Sequence, residues 1–256
     1  MKTYTLITGA SSGIGLELAK VFAEKKHNLI LVARRKERLV ALKKEIQQTN
    51  PVSIEILVKD LSNENQIKEL YEEIKERKVL VDVLVNNAGF GELSYFINQK
   101  EKTIRDMISV NVLTLTLLSN VFAKDMAKRK KGHILNVSSI AGFQPGPLFS
   151  VYVATKAYVL HFTESIAEEL KEKGIVVTSL CPGPTHSEFA EVSHMSNAAF
   201  FKGKLPSSRD VAEYGYKALY KKKIVAVHGF KNKILVFFSR LLPRSLIRKV
   251  SYAILK

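Results

Sequence analysis

The stretch TGASSGIG, residues 8–15, joins a short apolar run to a longer amphipathic one. Glycine adopts positive φ without strain and lets the backbone come close to a ligand. A helix that begins at such a turn presents free N–H groups and a partial positive charge, which suit a pyrophosphate. Its spacing, G-x-x-x-G-x-G, is neither G-x-G-x-x-G nor a phosphate loop that ends in Gly-Lys-Ser/Thr. We predict that it contacts a dinucleotide through Gly9, Ser11, Ser12, Gly13, Ile14 and Gly15.

Apolar runs and helical patterns alternate on both sides of this turn. The apolar runs are Thr5–Thr8, Leu29–Ala33, Ile54–Val58, Val81–Val85, Ile134–Val137 and Val176–Leu180. The helical patterns between them are Ile14–Lys25, Lys36–Gln47, Gln66–Arg77 and Tyr152–Glu172. The glycine turn lies in the first of these strand–helix units. This position favours a ligand site over the alternative, a purely structural turn.

The alternation predicts the fold class. Runs that are apolar throughout suit strands buried on both faces, and the helices suit right-handed crossovers. We expect an α/β fold, a single doubly wound Rossmann-type domain whose parallel sheet has about seven strands with helices on both faces. Residues 1–220 would form the nucleotide-binding and catalytic domain, with an irregular insertion around Glu188–Lys204. Residues 221–256 would supply the last strand and a basic, apolar C-terminal tail.

The end of the second predicted strand bears on the cofactor. Sites that prefer NAD place a carboxylate about 20 residues after the glycines, where it holds the ribose hydroxyls. Here the strand ends at Ala33 and is followed by Arg34 and Arg35. A guanidinium can bind a 2′-phosphate through paired charge-assisted hydrogen bonds. We predict NADP(H), with Arg34 as the main contact and Arg35 as the second; plain surface charge is the alternative.

Tyr152 and Lys156 are four residues apart at the start of a helical pattern, so their side chains share one face. A free tyrosine has a pKa of about 10 and is a poor base at neutral pH. A neighbouring ammonium would lower the pKa of the Tyr152 phenol. The spacing alone is common in helices, and a half-buried aromatic beside a lysine stem is the alternative.

Two serines give this pair a context. Ser138 and Ser139 follow the run Ile134–Val137, and a loop rich in glycine and proline leads on to Tyr152. Ligands of a parallel sheet gather beyond the carboxyl ends of its strands, where the serines and the glycine turn would lie. Adjacent strand residues point to opposite faces, so the two serines would face different ways.

With these residues in place, the sequence resembles the short-chain dehydrogenase/reductase family over roughly residues 3–190. The residues that match in order and spacing are Thr8–Gly15, Asn86–Gly89, Asn111, Ser139, Tyr152, Lys156 and Pro182-Gly183. Ser139 lies thirteen residues before Tyr152, as it does in that family, which favours it over Ser138. The resemblance implies an NADP(H)-dependent oxidoreductase.

The resemblance also implies a catalytic set of four residues. Tyr152 would be the general acid in reduction and the general base in oxidation. Lys156 would lower the pKa of Tyr152 and bind the nicotinamide ribose. Ser139 would donate to the substrate oxygen as charge develops there. Asn111 would support a water chain to Lys156; a cap of the following helix is the alternative.

Further cofactor contacts follow from the same resemblance. Asp60 and its neighbour Leu61 would contact the adenine, although Asp60 could equally cap a helix. The turn after the fourth strand would line the cofactor and brace the sheet, and Pro182–Thr185 would pass the nicotinamide carboxamide. The contact residues in these two segments are Asn87, Ala88, Gly89, Pro182, Gly183 and Thr185.

Charge is placed unevenly along the chain of 256 residues, whose formal net charge is +16. Glu213 is the last acidic residue, and 11 of the 40 lysines and arginines follow it. The body is therefore nearly balanced, and with few aromatic residues and no known motif we expect no nucleic-acid partner. The basic, apolar tail is predicted to contact an anionic membrane peripherally. A solvated face, packing on its own domain and packing on a sister subunit are the alternatives.

Location and metal content follow from other features. Cys181 is the single cysteine, which excludes an intrachain disulfide framework and favours a reducing compartment. No secretory signal is expected, nor any apolar segment approaching the roughly 20 residues that cross a bilayer. We predict a cytoplasmic protein with peripheral membrane contact at most. The six histidines lie far apart, so no metal site is expected.

The residues expected to select the substrate lie in the part of the sequence that carries the fewest recognisable motifs. Aromatic and aliphatic residues of the loop before Tyr152 and of the insertion would crowd the mouth of the site and favour an apolar carbonyl or hydroxyl compound. These residues are Phe143, Pro147, Leu148, Phe149, Phe189, Phe200 and Phe201. Packing in the protein core is the alternative explanation for these apolar residues.

The alternatives in function are an NAD(P)-linked alcohol dehydrogenase that works oxidatively and a non-catalytic nucleotide sensor. The helices around Asn111–Lys130 and Tyr152–Glu172 resemble those that pair across subunits in the short-chain dehydrogenase/reductase family, and the resemblance implies a homodimer or homotetramer.

Overall fold

The computed structural model describes residues 2–195 and 205–256, and within them seven parallel strands form one sheet. The strands are β1 (Thr3–Thr8), β2 (Asn28–Ala33), β3 (Ile54–Val58), β4 (Leu80–Asn86), β5 (Gly132–Val137), β6 (Ile175–Cys181) and β7 (Val225–Val227). Their order in the sheet is β3-β2-β1-β4-β5-β6-β7. The six predicted strands are present within two residues of their predicted bounds, because strands buried on both faces read as continuous apolar runs.

The helices of the described residues cover both faces of this sheet. They are α1 (Gly13–Glu24), α2 (Lys36–Thr49), α3 (Glu64–Glu76), α4 (Glu101–Ile108), α5 (Leu115–Arg129), α6 (Ser150–Lys171), α7 (Phe189–Val192), α8 (Ser208–Tyr220), α9 (Phe230–Leu241) and α10 (Arg244–Leu255). One buried cluster joins the sheet to α1, α2 and α8, and a second joins it to α3, α5 and α6. The predicted doubly wound α/β fold is confirmed.

The strand order places the ligand crevice. β1 pairs with β2 on one side and with β4 on the other, so the chain winds outward from β1 in both directions. In such sheets ligands bind at this reversal, beyond the carboxyl ends of the strands. Thr8 and Asn86 end the two central strands there, and Val137 ends the next one.

The segment from residue 221 onward begins with the last strand of the same sheet. β7 pairs with β6 through Ala226, which is fully buried. The two tail helices that follow bury few residues, chiefly Val236, Ile247 and Ser251. The predicted insertion is described only up to residue 195, so Phe200 and Phe201 lie outside the described residues.

One helical segment contradicts the expectation that no apolar segment approaches the length needed to cross a bilayer. The continuous helical stretch Glu101–Arg129 has 29 residues, a mean hydropathy of 1.4 in its most apolar window, and is long and apolar enough to cross a membrane. In the fold, 44% of that window is buried, and Leu118, Phe122 and Met126 pack on the sheet. A core helix of this kind has the same composition as a membrane span, which accounts for its apolar character here.

Candidate active site

The predicted dinucleotide turn joins β1 to α1. Gly9 has a φ of +66°, which glycine adopts without strain. A Cβ at Gly15 would lie 2.3 Å from the carbonyl oxygen of Gly9, so the turn requires glycine there. Ser12 is the N-cap residue of α1, and within the described residues its side chain makes no capping hydrogen bond. The first N–H groups of α1 are therefore available to an anionic ligand.

Asn87 ties this turn to the end of β4. Its side-chain nitrogen donates to the carbonyl oxygens of Thr8 at 3.0 Å and Gly9 at 3.2 Å. The backbone N–H groups of Asn87 and Ala88 both donate to the Thr8 hydroxyl at 3.0 Å. These four bonds hold the carboxyl ends of β1 and β4 together, as a turn that braces the sheet would.

Only one of the two arginines after β2 lies over the glycine turn, and it is not the one that the sequence predicts as the main contact. Arg35, not Arg34, covers the glycine turn and donates to the hydroxyls of Ser11 at 3.1 Å and Ser12 at 2.7 Å. Arg34 is exposed, and its positive charge acts on the carboxylate of Asp60. Arg35 is the N-cap residue of α2, and its side chain reaches back across the turn.

Two residues that the sequence did not single out complete this charged group. Glu188 accepts a hydrogen bond from Arg35 at 3.0 Å and a second one from Arg38. Burial raises the pKa of the Glu188 carboxyl, but the hydrogen bonds from both arginines outweigh this and hold the pKa below its usual value. The segment after β6 is thus attached to the two arginines beside the glycine turn by an ionised carboxylate.

Tyr152 and Lys156 lie on the first turns of α6, and both are buried. Burial raises the pKa of the Tyr152 phenol, and the Ser139 hydroxyl opposes this. The net direction is upward because burial outweighs the effect of Ser139. The Lys156 ammonium donates to the carbonyl oxygen of Val137 at 2.8 Å and lies 5.7 Å from the centre of the Tyr152 ring, and its predicted lowering of the phenol pKa stays a prediction.

Lys156 is only 5% exposed, and burial lowers its pKa to about 8. Ser138 donates its hydroxyl to the backbone carbonyl oxygen of Lys156 at 2.8 Å and so holds α6 against the end of β5. Ser139 is turned the other way, and its hydroxyl accepts from the Ala141 N–H at 3.1 Å and donates to the Pro182 carbonyl. The two serines therefore have different partners, as the alternation of strand residues predicts.

Asn111 lies in a π turn, Ser109–Thr114, between α4 and α5. Its side chain accepts from the Phe90 N–H at 3.1 Å and donates to the Phe90 carbonyl at 2.9 Å and the Thr155 hydroxyl at 3.0 Å. A Cβ at Gly89 would be 3.1 Å from the Asn111 carbonyl oxygen and 3.3 Å from the Lys156 nitrogen. Asn111 therefore lies beside Lys156, inside a helical turn of a type that is frequent at functional sites.

A sequence profile described as short chain dehydrogenase matches residues 3–197. The chain belongs to the short chain dehydrogenase family. It is 33% identical to the hydroxysteroid dehydrogenase-like protein 1 of Gallus gallus over 221 residues, which are 84% of this chain and 65% of that protein. It is 34% identical to the very-long-chain 3-oxoacyl-CoA reductase of Anas platyrhynchos over 199 residues, or 75% of this chain and 63% of that protein. The matches thus span under two thirds of the length of these two relatives.

A solved structure extends the likeness beyond the profile. The short-chain dehydrogenase from Sphingobium yanoikuyae in complex with NADPH is 29% identical, covers 94% of each chain and superposes with a TM-score of 0.83. The chain therefore has the fold of its family over nearly all of its length.

Asp60 and Leu61, the predicted adenine contacts, follow the end of β3. Asp60 accepts from the Ser62 N–H at 3.0 Å and hydroxyl at 2.8 Å, which shapes the turn after β3. Burial raises the pKa of Asp60, but these two bonds and Arg34 together lower it. The N-cap of α3 is Asn63, so Asp60 is not the helix cap that the sequence left open. Leu61 is buried beside it.

The segment after β6 forms the opposite wall of the crevice. The Thr185 hydroxyl donates to the Gly183 carbonyl at 2.9 Å, and Ser139 donates to the Pro182 carbonyl at 3.5 Å. Between this segment and α1 lies a cavity of about 550 Å³. It is lined by residues from the glycine turn and α1, including Gly13 and Leu16, and by residues after β6, including Thr185, Ser187 and Glu188.

Aromatic rings surround the Tyr152 phenol. Phe149 stacks on Tyr152 with ring centres 4.3 Å apart, and Phe189 lies 5.3 Å from the same ring. Met107, Met195 and Leu255 pack in the same cluster. Of the predicted lid residues, Phe149 and Phe189 therefore lie at the site, whereas Phe143 lies under the guanidinium of Arg240, 5.4 Å from ring centre to carbon. In the described parts of the chain, no group of three or more His, Cys, Asp and Glu side chains could hold a metal ion.

Proposed function

We propose that this dehydrogenase reduces the carbonyl group of an apolar substrate and uses NADP(H). The observation that carries the proposal is the meeting of four polar side chains at the carboxyl ends of the central strands. A phenol, an amine, a hydroxyl and an amide, from Tyr152, Lys156, Ser139 and Asn111, lie together there beside a glycine turn covered by Arg35.

The residues present fit a phosphorylated dinucleotide. The N-terminus of α1 offers its N–H groups, and Arg35 holds its guanidinium over the two serines of the turn. A guanidinium in this position would bind a 2′-phosphate, whereas the carboxylate typical of NAD sites is replaced at the end of β2 by Arg34 and Arg35. The remaining contacts would be those predicted along β3, β4 and β6. When bound, NADP(H) would supply the hydride.

The catalytic residues handle the proton and the substrate oxygen. The raised pKa keeps the Tyr152 phenol protonated at neutral pH, so it is ready to donate a proton to a carbonyl oxygen. Ser139 would donate to the same oxygen and stabilise the charge that develops on it. Lys156 would bind the ribose and, with Asn111, pass a proton back to the phenol.

The class of substrate is inferred from the surroundings of Tyr152. The ring is packed between Phe149 and Phe189, and the nearby side chains of Met107 and Met195 are also apolar. The Anas platyrhynchos relative is named for a very-long-chain 3-oxoacyl-CoA, and the Gallus gallus relative for a hydroxysteroid, so both names point to apolar compounds. We infer an apolar ketone of lipid or steroid type.

A homodimer or homotetramer is part of the proposal. The outer faces of α4, α5 and α6 expose Ile108, Leu117 and Tyr158, and a groove of about 380 Å³ lies between α4 and α6. Apolar surface of this kind suits a second copy of the chain. Light scattering of the purified protein, compared with the variant Leu117→Glu, tests this. A monomeric parent would contradict it.

The experiment that tests the function is a panel of ketones that increase in apolar size, incubated with the protein and either NADPH or NADH. We expect NADPH consumption that rises with apolar size, and slower consumption of NADH. Equal use of both cofactors would contradict the cofactor assignment, and NADPH consumption confined to small polar ketones would contradict the substrate class.

A further inference from the structure

Helix α9 presents an apolar face to solvent on the side opposite to its packed face. Val236 is buried, and Asn232 and Ser239 are half-buried, one turn to either side of it. The exposed face repeats at three- and four-residue spacing, which is the period of one helix face. Its members, with their exposed fractions, are Phe230 (77%), Ile234 (42%), Phe237 (59%), Phe238 (51%) and Leu241 (63%).

Helix α10 carries a second row of exposed apolar residues. Ile247 and Ser251 are buried against the domain. Leu246, Val250 and Ile254 follow one another at four-residue steps, and each is about half exposed. We refer to the exposed apolar residues of α9 and α10 together as the tail surface. An exposed apolar area of this extent marks an interaction site in a folded protein.

The charges of these two helices are all positive. Lys231, Lys233 and Arg240 flank the apolar face of α9, and Arg248 and Lys249 lie on α10. Glu213 is the last acidic residue of the sequence, and no ion pair between described residues involves a lysine or arginine of α9 or α10. The tail surface is therefore apolar with an uncompensated basic border, which is the pattern of helices that lie in the headgroup region of anionic membranes.

The tail surface lies next to the site around Tyr152. Leu255 packs in the cluster that surrounds the Tyr152 ring, and Arg240 lies over the ring of Phe143. The Tyr252 hydroxyl is 3.4 Å from that of Tyr95, which follows the loop after β4. The same two helices thus contact the apolar side of the site with one face and solvent with the other.

We propose that α9 and α10 dock the protein on an anionic lipid bilayer and so hold the mouth of the Tyr152 site at the membrane surface. The charge selects this occupant over a second copy of the chain, because two surfaces bordered by unpaired lysines and arginines would repel each other. Docking follows from the tail surface alone. Entry of substrate from the lipid phase rests, in addition, on the proposed function.

The test compares point variants, because the buried contacts of Val236 and Ile247 mean that removal of the tail would disturb the fold. The parent, Lys231→Glu/Lys233→Glu, and Phe237→Ser/Leu241→Ser are sedimented with vesicles of phosphatidylglycerol and phosphatidylcholine, and with vesicles of phosphatidylcholine alone. The matched control is Lys44→Glu/Lys68→Glu, which makes the same change of charge at exposed positions on α2 and α3, at the opposite edge of the sheet.

We expect the parent and the control to bind the anionic vesicles, and the lysine variant to bind at least about tenfold more weakly, since each basic residue near such a surface contributes to attraction. The serine variant should lose binding at low and at high salt, because its lost contacts are apolar. The chain has no tryptophan, so Phe238→Trp is a single reporter whose emission should shift to shorter wavelength with anionic vesicles only.

Two results would overturn the proposal. One is vesicle binding that is equal in the parent and both tail variants, or reduced as much in the control. The other is a change of oligomeric state in the serine variant without a change in vesicle binding, which would make the tail surface a subunit interface. NADPH consumption with a water-soluble ketone, measured on the same variants, should stay at the parental rate. Its absence in all of them would count against the proposed function and leave the vesicle result standing.

Discussion

The Lys156 ammonium lies 5.7 Å from the centre of the Tyr152 ring, and its hydrogen bond goes to the Val137 carbonyl oxygen at 2.8 Å. Both side chains are buried, and burial disfavours the charged form of each. The pKa of the phenol is raised, and that of the amine is lowered to about 8. At neutral pH the site therefore contains a protonated phenol beside a buried, mostly protonated amine.

The buried amine should cost stability in a pH-dependent way. In the unfolded chain the Lys156 pKa is 10.5, above its folded value of about 8, so the unfolded state binds more protons between these values and stability rises with pH there. The full cost, about 3 kcal/mol, is present below pH 8. Lys156→Met removes it but leaves the Val137 carbonyl unpaired, so we expect a net gain of about 2 kcal/mol at neutral pH.

This gain should disappear as the pH is raised to about 10. Urea unfolding of the cofactor-free protein at both pH values measures it, with Lys171→Met, an exposed lysine of the same helix, as the control. A Lys156→Met variant that is less stable than the parent at neutral pH, by an amount that does not depend on pH, would show that the amine is not desolvated.

Arg35 should decide the preference for a 2′-phosphate. Charge-assisted hydrogen bonds contribute about 1.5–3 kcal/mol, so Arg35→Gln should weaken NADPH binding roughly 10- to 100-fold and leave NADH binding nearly unchanged. Calorimetric titration with both dinucleotides measures this. Arg34→Gln is the control and should have the smaller effect. If Arg34→Gln had the larger effect, the side chain that faces the turn would not be the one that binds phosphate.

Glu188 should oppose the same phosphate. Its carboxylate pairs with Arg35 and Arg38 at the end of the crevice where the 2′-phosphate would bind. Because these ion pairs are about 40% exposed, the effect is modest, and we expect Glu188→Gln to bind NADPH roughly threefold more tightly. NADH affinity should not change. Weaker NADPH binding in this variant would instead indicate that Glu188 orders the arginines for the cofactor.

Truncation of the Asn111 side chain should lower the free energy of unfolding. Asn111→Ala leaves the Phe90 N–H, the Phe90 carbonyl and the Thr155 hydroxyl without their partner in a site where Asn111 itself is 1% exposed. We expect a loss of about 2–3 kcal/mol in the free energy of unfolding by urea. Thr155→Val, which removes one of the three bonds together with the bond from the Thr155 hydroxyl to the Tyr152 carbonyl, should lose about 1 kcal/mol. Equal stability of Asn111→Ala and parent would show that the three bonds of Asn111 do not stabilise the fold.

Much of the fold follows from local sequence. Apolar runs such as Leu29–Ala33 predict strands buried on both faces, and the glycine turn locates the first strand–helix unit. The carboxyl ends of parallel strands share one edge of the sheet, so the sequence alone predicts that Ser139, Tyr152 and the glycine turn meet there. Their catalytic and binding roles stay predictions.

The features that sequence reasoning missed depend on contacts between distant residues. Glu188 meets Arg35 across 153 positions of the chain, and no local pattern marks such a pair. Asn86 donates to Asn136 at 2.9 Å, and Asn136 to Thr163 at 3.0 Å, a buried polar ladder under the site that three separate elements create. Which arginine covers the glycine turn likewise depends on contacts of Arg35 with Ser11, Ser12 and Glu188.

The central claim is that the Tyr152 hydroxyl donates the proton. Its most direct test is the turnover of NADPH with the best ketone of the panel by Tyr152→Phe, beside Tyr158→Phe, an exposed tyrosine on the same helix. A positioned acid contributes about 10²- to 10⁴-fold, so kcat should fall by that factor in Tyr152→Phe with NADPH affinity retained, and Tyr158→Phe should match the parent. Turnover by Tyr152→Phe at the parental rate would contradict the account.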